Sequence, residues 1–368
     1  MPTQILILGA GVIGLTSAYV LAQAGHRVTV LDRGPTGGES TWAGAGILSP
    51  LLPWDYGPAV NDLALRGSRL WPDWAGQLHR QSGIDPEYLP SGMLASGLTD
   101  AAATQQWCGL HGWAATRPPA HIANLLGRDE QALWLPEVGQ MRNPRLAQAL
   151  AGGLQNMSVT ILANQPLVEL LTNKDRVSGV RTAQGIIEAD FYILAAGAWS
   201  QSLLGARAAG LQITPVRGQI LLFQAEPGLL PCIVYKQGHY LVPRADGHIL
   251  AGSTLEQVGF DKRTTETAGQ ELLAFARGIL PVLDESRIVR HWAGLRPGSP
   301  ENIPTIARHP ELANLYANTG HFRYGVTMAP ASAEILAAMI SGSPCPIDPS
   351  PYRWPGASEQ LDKVQTPA

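Results

Sequence analysis

The chain is predicted to fold as an α/β (α+β) protein, a Rossmann-like dinucleotide-binding domain joined to an antiparallel-sheet domain, and three stretches carry that expectation. At the start, Ile5-Leu6-Ile7-Leu8 runs into Gly9-Ala10-Gly11-Val12-Ile13-Gly14, and Arg27-Val28-Thr29-Val30-Leu31 then delivers Asp32. Later, Ala189-Asp190-Phe191-Tyr192-Ile193-Leu194 is a buried-type strand that ends in the small residues Ala195-Ala196-Gly197-Ala198. Between Thr214 and Leu255, the runs Thr214 to Gln224, Ile233 to Val242 and His248 to Leu255 are strand-like, punctuated by Gly and Pro, and read as a meander.

The first stretch has the physical parts of a dinucleotide grip. Gly9 permits the turn after the strand, Gly11 lets backbone approach a pyrophosphate, and Gly14 lets a helix over about residues 14–24 lie close on the sheet. That helix offers unpaired N–H groups to phosphate. Asp32 closes the second strand, where a carboxylate can accept hydrogen bonds from ribose hydroxyls. Residues 5–25 contain no charged side chain and are long enough to cross a bilayer, but no basic residue precedes them and glycines and polar residues interrupt the run. The expectation is therefore a cytoplasmic protein without stable membrane insertion.

Composition fits an enzyme of ordinary globular character. The chain has 368 residues, 45% of them apolar, and a formal charge of −3, with no basic block to suggest nucleic acid as partner. Cys108, Cys232 and Cys345 are odd in number and widely spaced, and the nine histidines show no clustered ligand spacing. Neither a disulfide framework nor a metal site is expected.

Asp32 alone does not distinguish a nicotinamide from a flavin dinucleotide. More telling is the run of small residues from Gly37 to Pro50, where Ser40 and Thr41 can bond phosphate and the backbone of Ala43 to Gly46 is thin enough to lie beside a flat ring. By itself such a run also suits a flexible loop. Downstream, Arg176 to Arg181 and Gly185 to Glu188 read as a strand pair and Leu315 to Thr319 as a strand. The last strand opens into Gly320-His321-Phe322-Arg323-Tyr324-Gly325-Val326-Thr327, and a helix is predicted from roughly Ala329 to Ile340. Its positive end suits electron density on a reduced ring. Apolar spacing predicts another helix over 63–81, kinked or restarted at Pro72, and residues 51–58 form a turn-rich aromatic stretch that is either a cover for the site entrance or a surface loop. Residues 356–368 read as a polar tail.

Taken together, the N-terminal grip, Ser40 to Pro50, Ala189 to Ser200, His239-Tyr240, Trp292-Ala293-Gly294-Leu295-Arg296-Pro297-Gly298 and His321-Phe322-Arg323 resemble the FAD-dependent D-amino-acid oxidase superfamily. Residues 292–304 and Leu241-Val242-Pro243-Arg244 favour its bacterial glycine oxidase branch. The resemblance spans nearly the whole chain. It implies a discontinuous FAD domain over about 1–80, 140–210 and 295–355, and a substrate domain over 81–139 and 211–294.

The resemblance also implies roles by position. Val12 and Ile13 would meet the pyrophosphate through backbone, Asp32 and Arg33 the adenosine ribose, and Ser40 and Thr41 the phosphates. Ala45, Gly46 and Ile47 would line the flavin, Leu167 would contact adenine, Gly197 lies in the second close turn, and His321, Phe322, Arg323, Tyr324, Gly325, Val326 and Thr327 would wrap the pyrimidine side. Two residues depart from the family pattern: Asp32 replaces the usual Glu, and Tyr324 the commoner Asn. For substrate, Arg296 is the expected carboxylate fork, with Arg323 as a second contact and the Tyr240 hydroxyl as a donor. A surface arginine, a helix-flanking ion pair and a buried Tyr are the ordinary alternatives for these three.

The implied chemistry is oxidative deamination of glycine or small amines such as sarcosine or D-alanine, by hydride transfer to the flavin and reoxidation by dioxygen, with a role in thiazole formation for thiamine. Family members that attach flavin covalently use a cysteine near the region matching Leu295 to Pro300, which has none here, so the resemblance implies noncovalent FAD. A homotetramer is implied as well. The alternatives are a D-amino-acid or N-substituted-glycine oxidase or dehydrogenase of the same superfamily, and a non-catalytic flavin-binding module.

Overall fold

Residues Ile5 to Leu8 are buried on both faces of a central sheet, which is why they read as an unbroken apolar run. The computed structural model describes residues 2–125 and 131–356. Its first sheet has six strands in the order β15 (Thr305–Arg308), β16 (Leu315–Thr319), β9 (Phe191–Leu194), β1 (Gln4–Leu8), β2 (Arg27–Leu31) and β5 (Thr160–Leu162). All neighbours are parallel except β15 and β16. Both β1 and β9 therefore end on one edge, and a ligand site belongs at that edge of an open parallel sheet.

The second sheet has seven strands, in the order β14 (Ile288–Gly298), β10 (Thr214–Gln224), β13 (His248–Gly252), β12 (His239–Pro243), β11 (Ile233–Lys236), β3 (Met93–Ser96) and β4 (Leu133–Leu135). It is antiparallel apart from the parallel pair β11 and β3. A third sheet of three strands, β6 (Glu169–Asn173), β7 (Arg176–Thr182) and β8 (Gly185–Ile187), contains the expected strand pair.

Several elements differ from expectation, and the strand expected over His248 to Leu255 ends at Gly252. The run from Ile233 to Val242 is a hairpin, because Gln237 (φ 50°) and Gly238 (φ 86°) both take the left-handed conformation of a two-residue turn. Thus β11, β12 and β13 form the meander, while β10 lies beyond β13 and pairs along its length with β14. The last helix spans Gly325–Ser341, starting ahead of Ala329 and running through Pro330. Proline removes the N–H that would bond the Val326 carbonyl. The Trp71 indole N–H donates to that carbonyl instead, at 2.7 Å.

Trp71 lies on the helix Pro58–Ser82, which continues through Pro72 without interruption. The two helices cross closely at Gly67, where a Cβ would lie 2.0 Å from the Thr327 carbonyl oxygen. This crossing fixes the start of the last helix against the first sheet. Among the described residues no helix is long and apolar enough to cross a membrane. Apart from Gly356, the expected polar tail lies outside the described residues.

Candidate active site

One cavity runs from the edge of the first sheet to the second. Gly9, Gly11, Val12, Ile13, Asp32, Arg33, Ser40, Thr41, Ala45, Gly46, Ile47, Leu167, Gly197, Tyr240, Arg296, His321, Phe322, Arg323, Tyr324, Gly325 and Val326 all line it. Gly14 and Thr327 stand behind this lining and shape it. A Cβ on Gly14 would lie 1.9 Å from the Gly9 carbonyl oxygen, so Gly14 is what lets the helix sit on the turn.

At the dinucleotide end, Gly9 has φ +122° and a Cβ there would lie 2.3 Å from the Ala195 oxygen, so no other residue fits the turn. Asp32 accepts hydrogen bonds from the Ala10 N–H at 2.6 Å and the Gly34 N–H at 2.8 Å. Burial raises its pKa and these bonds oppose the rise. Arg33 lies over the Trp199 ring at 3.8 Å and pairs with Glu39 at 3.0 Å. Thr41 Oγ1 accepts the Val12 N–H at 2.8 Å, and the Ser40 hydroxyl donates to the Leu295 carbonyl. Two groups expected at phosphate, the Val12 N–H and the Ser40 hydroxyl, are thus engaged within the protein. Thr41 keeps its hydroxyl proton.

The middle of the cavity is pinned from three sides. Arg244, buried at 6% exposure, donates from Nη2 to the Ala45 carbonyl at 2.7 Å and from Nη1 to Gln140 Oε1 at 2.7 Å and the Met141 carbonyl at 3.2 Å. Burial, aided by the Arg142 charge, pushes its pKa down to about 10, so it stays cationic at neutral pH. Gly46 (φ +75°) presses on the Met141 carbonyl, where a Cβ would lie 1.9 Å away, and Thr327 Oγ1 donates to the Ile47 carbonyl at 3.0 Å. Burial pushes His321 down to about 3 and holds it neutral. Its Nε2 meets Ser332 Oγ at 2.8 Å, and that hydroxyl already donates to the Met328 carbonyl at 3.0 Å. The ring therefore donates from Nε2, which leaves the buried Nδ1 a bare acceptor with no partner.

These residues fit FAD. The orphaned His321 acceptor matches a ring N–H donor, Gly197 (φ +54°) has nothing within 4 Å of where a Cβ would be, and a Cβ on Gly11 would touch only Thr41 Oγ1, at 3.4 Å. Two turns thus leave room for a ligand to approach backbone. Among the described residues no group of three or more His, Cys, Asp or Glu side chains is placed to hold a metal.

At the other end, the second sheet supplies the polar groups. Arg296 on β14 and Tyr240 on β12 are separated by β10 and β13, whose glycines let the two long side chains lie across the sheet face. A Cβ on Gly218 would lie 2.1 Å from Arg296 Nη1, and one on Gly252 would lie 2.7 Å from the Tyr240 ring. Arg296 Nη2 donates to Ser253 Oγ at 2.7 Å and Nη1 to the Thr254 carbonyl at 3.2 Å, and the Tyr240 phenol lies close to the same guanidinium. Burial lowers the Arg296 pKa, and the nearby Arg323 cation adds to the effect. Among the described residues neither guanidinium has a carboxylate partner. Two cations at one end of a cavity, neither paired with a carboxylate, make an anion site.

Arg323 also has Tyr324, Tyr56, Tyr240 and Tyr235 around it. Of these Tyr56 and Tyr235 were absent from the sequence-predicted site, as were Arg244, Ser253 and Leu51. Arg244 stood in the quoted Leu241-to-Arg244 run and Tyr56 in the aromatic stretch over 51–58, so both carried a signal. Leu51 opens that same stretch, whereas Ser253 carried no signal.

Residues 4–339 match the family described as FAD dependent oxidoreductase. The chain belongs to that family. It is 43% identical over 358 residues to the glycine oxidase of Pseudomonas aeruginosa, covering 96% of this chain and 98% of the relative. It is 33% identical over 351 residues to the bifunctional protein ThiO/ThiG of Trichormus variabilis, covering 92% of this chain and 53% of that longer protein. Among solved structures, the glycine oxidase of Geobacillus kaustophilus superposes with a TM-score of 0.88 at 25% identity, covering 97% of this chain and all of that one. Membership makes the protein an FAD-dependent oxidoreductase and accounts for the dinucleotide turn at its start.

Proposed function

We propose that the protein oxidises glycine and comparably small amines, sarcosine and D-alanine among them, with the carboxylate forked by Arg296. The observation that carries this reading is the pair of acid-free guanidiniums, Arg296 and Arg323, lining the same cavity as the dinucleotide turn. A planar guanidinium gives a carboxylate two parallel hydrogen bonds, and the Tyr240 hydroxyl adds a third donor. Two cations near the substrate ammonium lower its pKa and favour the neutral amine, the form whose lone pair assists loss of hydride from the α-carbon. Bound FAD supplies the hydride acceptor and its reoxidation by dioxygen. Overall, glycine, water and dioxygen give glyoxylate, ammonia and hydrogen peroxide.

The remaining site roles follow the same reading. Asp32 and Arg33 serve the adenosine end, Leu167 the adenine, Ala45 to Ile47 the flavin edge, and His321 to Thr327 the opposite edge, with FAD held noncovalently. On this reading the segments 1–80, 140–210 and 295–355 hold FAD and 81–139 with 211–294 hold substrate. The protein would act in the cytoplasm as a homotetramer and serve thiazole formation for thiamine.

A peroxide-coupled panel of glycine, sarcosine, D-alanine, D-proline and bulkier N-alkyl glycines tests the proposal on the yellow holoprotein. Peroxide from glycine supports it. Flavin that glycine does not reduce under anaerobic conditions refutes it, and reduction without peroxide release marks a dehydrogenase instead.

A further inference from the structure

We propose that Tyr324, braced by Tyr56, forms a rigid wall that sets the upper size of the group carried by the substrate carboxylate. The inference rests on the carboxylate reading of Arg296 and Arg323. Tyr324 is 3% exposed and lines the cavity beside Arg323, Arg296 and Tyr240. Its ring meets that of Tyr56 edge-on, with centroids 5.1 Å apart and planes at 86°, and its hydroxyl donates to the Tyr56 hydroxyl. Tyr324 is thus fixed at ring and hydroxyl. Leu51 lines the cavity as well.

Tyr56 is fixed in turn. Asn61 Nδ2 donates to the Pro53 carbonyl at 2.9 Å and to the Tyr56 carbonyl at 2.8 Å, so the loop holding Tyr56 is anchored on the helix Pro58–Ser82. On the other side, Phe322 takes φ +43° and its N–H donates to the Pro297 carbonyl at 3.0 Å, which pins the turn that presents Arg323 and Tyr324 in succession. An anion anchor and an aromatic wall on consecutive residues of one pinned turn keep a constant separation. Whatever the carboxylate carries must fit between them. A hydrophobic wall of this kind discriminates by about 10- to 200-fold per methylene.

The test uses the holoprotein and two readouts. Binding of acetate and of 3-methylbutanoate is measured through the flavin absorption spectrum, and kcat/KM is measured for glycine and D-leucine. The wild type should prefer the smaller member of each pair. Tyr324→Asn should shrink both preferences at least tenfold, and Tyr56→Phe should shrink them by a smaller factor that is not additive with Tyr324→Phe, because the two hydroxyls act as one bond. Preferences unchanged in Tyr324→Asn, with both carboxylates still bound, overturn the wall. If Tyr324→Asn fails to hold FAD, Tyr56→Phe and Tyr56→Ala decide the matter, and unchanged preferences in both overturn it equally. Size-graded carboxylate binding without turnover of any amine overturns the oxidase reading while supporting the wall, whereas glycine turnover with unaltered preferences does the reverse.

Discussion

Gly218 and Arg296 stand diagonally across β10 and β14, and the absence of a side chain at 218 is what gives the guanidinium its place: a Cβ there would lie 2.1 Å from Nη1 and 2.3 Å from Cζ. The atoms it would strike are the far end of a flexible side chain, so Gly218→Ala should fold and bind FAD. The guanidinium must move aside, and a displacement of about 1 Å at a positioning group costs on the order of 100-fold in rate. Glycine kcat/KM should fall by about that factor with flavin content unchanged. Kinetics equal to wild type would show that Arg296 does not need this position.

Removing the fork itself should cost more. Arg296→Ala is expected to lose roughly 2–4 kcal/mol of transition-state stabilisation, about 30- to 1000-fold in kcat/KM for glycine. Arg296→Lys should also be poor, since an ammonium cannot donate two parallel bonds to a carboxylate. Steady-state kinetics on both variants check the prediction, and a lysine variant close to wild type would make Arg296 a point charge only.

Arg244 holds three acceptors, the Ala45 and Met141 carbonyls and Gln140 Oε1, in a site buried from solvent. Arg244→Met leaves all three without that donor, each at a cost of about 1–3 kcal/mol. The loss should appear in thermal unfolding and, because Ala45 lines the cavity, in a weaker FAD dissociation constant. Lower stability with FAD affinity intact would confine Arg244 to a packing role.

The dinucleotide end was legible in the sequence because its signals are local: an apolar run, three glycines and an acid, each shaped by neighbours a few residues away. Thr214–Gln224 was legible for the same reason. The hairpin within 233–242 was hidden because Gln237 occupies a left-handed turn position that ordinarily goes to Asn, Asp or Gly. Likewise the true start of the last helix was masked by Pro330, whose missing bond is supplied by Trp71, distant in sequence. At the substrate end, Arg296 and Tyr240 were brought to one carboxylate by the family resemblance, not by any local pattern. Their meeting depends on the register of four strands, and the wall at Tyr56 and Tyr324 depends on a contact between residues near opposite ends of the chain. A buried arginine such as Arg244 carries the composition of a surface residue, so only tertiary structure reveals it.

The pH dependence of stability should carry the mark of His321. Its pKa is held down at about 3 in the folded protein by burial, against about 6.5 for an exposed imidazole. Below pH 6.5 the unfolded chain binds a proton that the native ring refuses, so the contribution of the neutral ring is fully present above pH 6.5. It is lost as pH falls toward 3. Over that window one such group tilts the stability curve by about 1.4 kcal/mol per pH unit. His321→Gln removes the titration, so urea unfolding between pH 7.5 and 4.5 should show a shallower acid limb in the variant by about one proton, whatever its stability at pH 7.5. Parallel limbs would mean that His321 becomes protonated in the native state, and that the lone acceptor at Nδ1 is not maintained there.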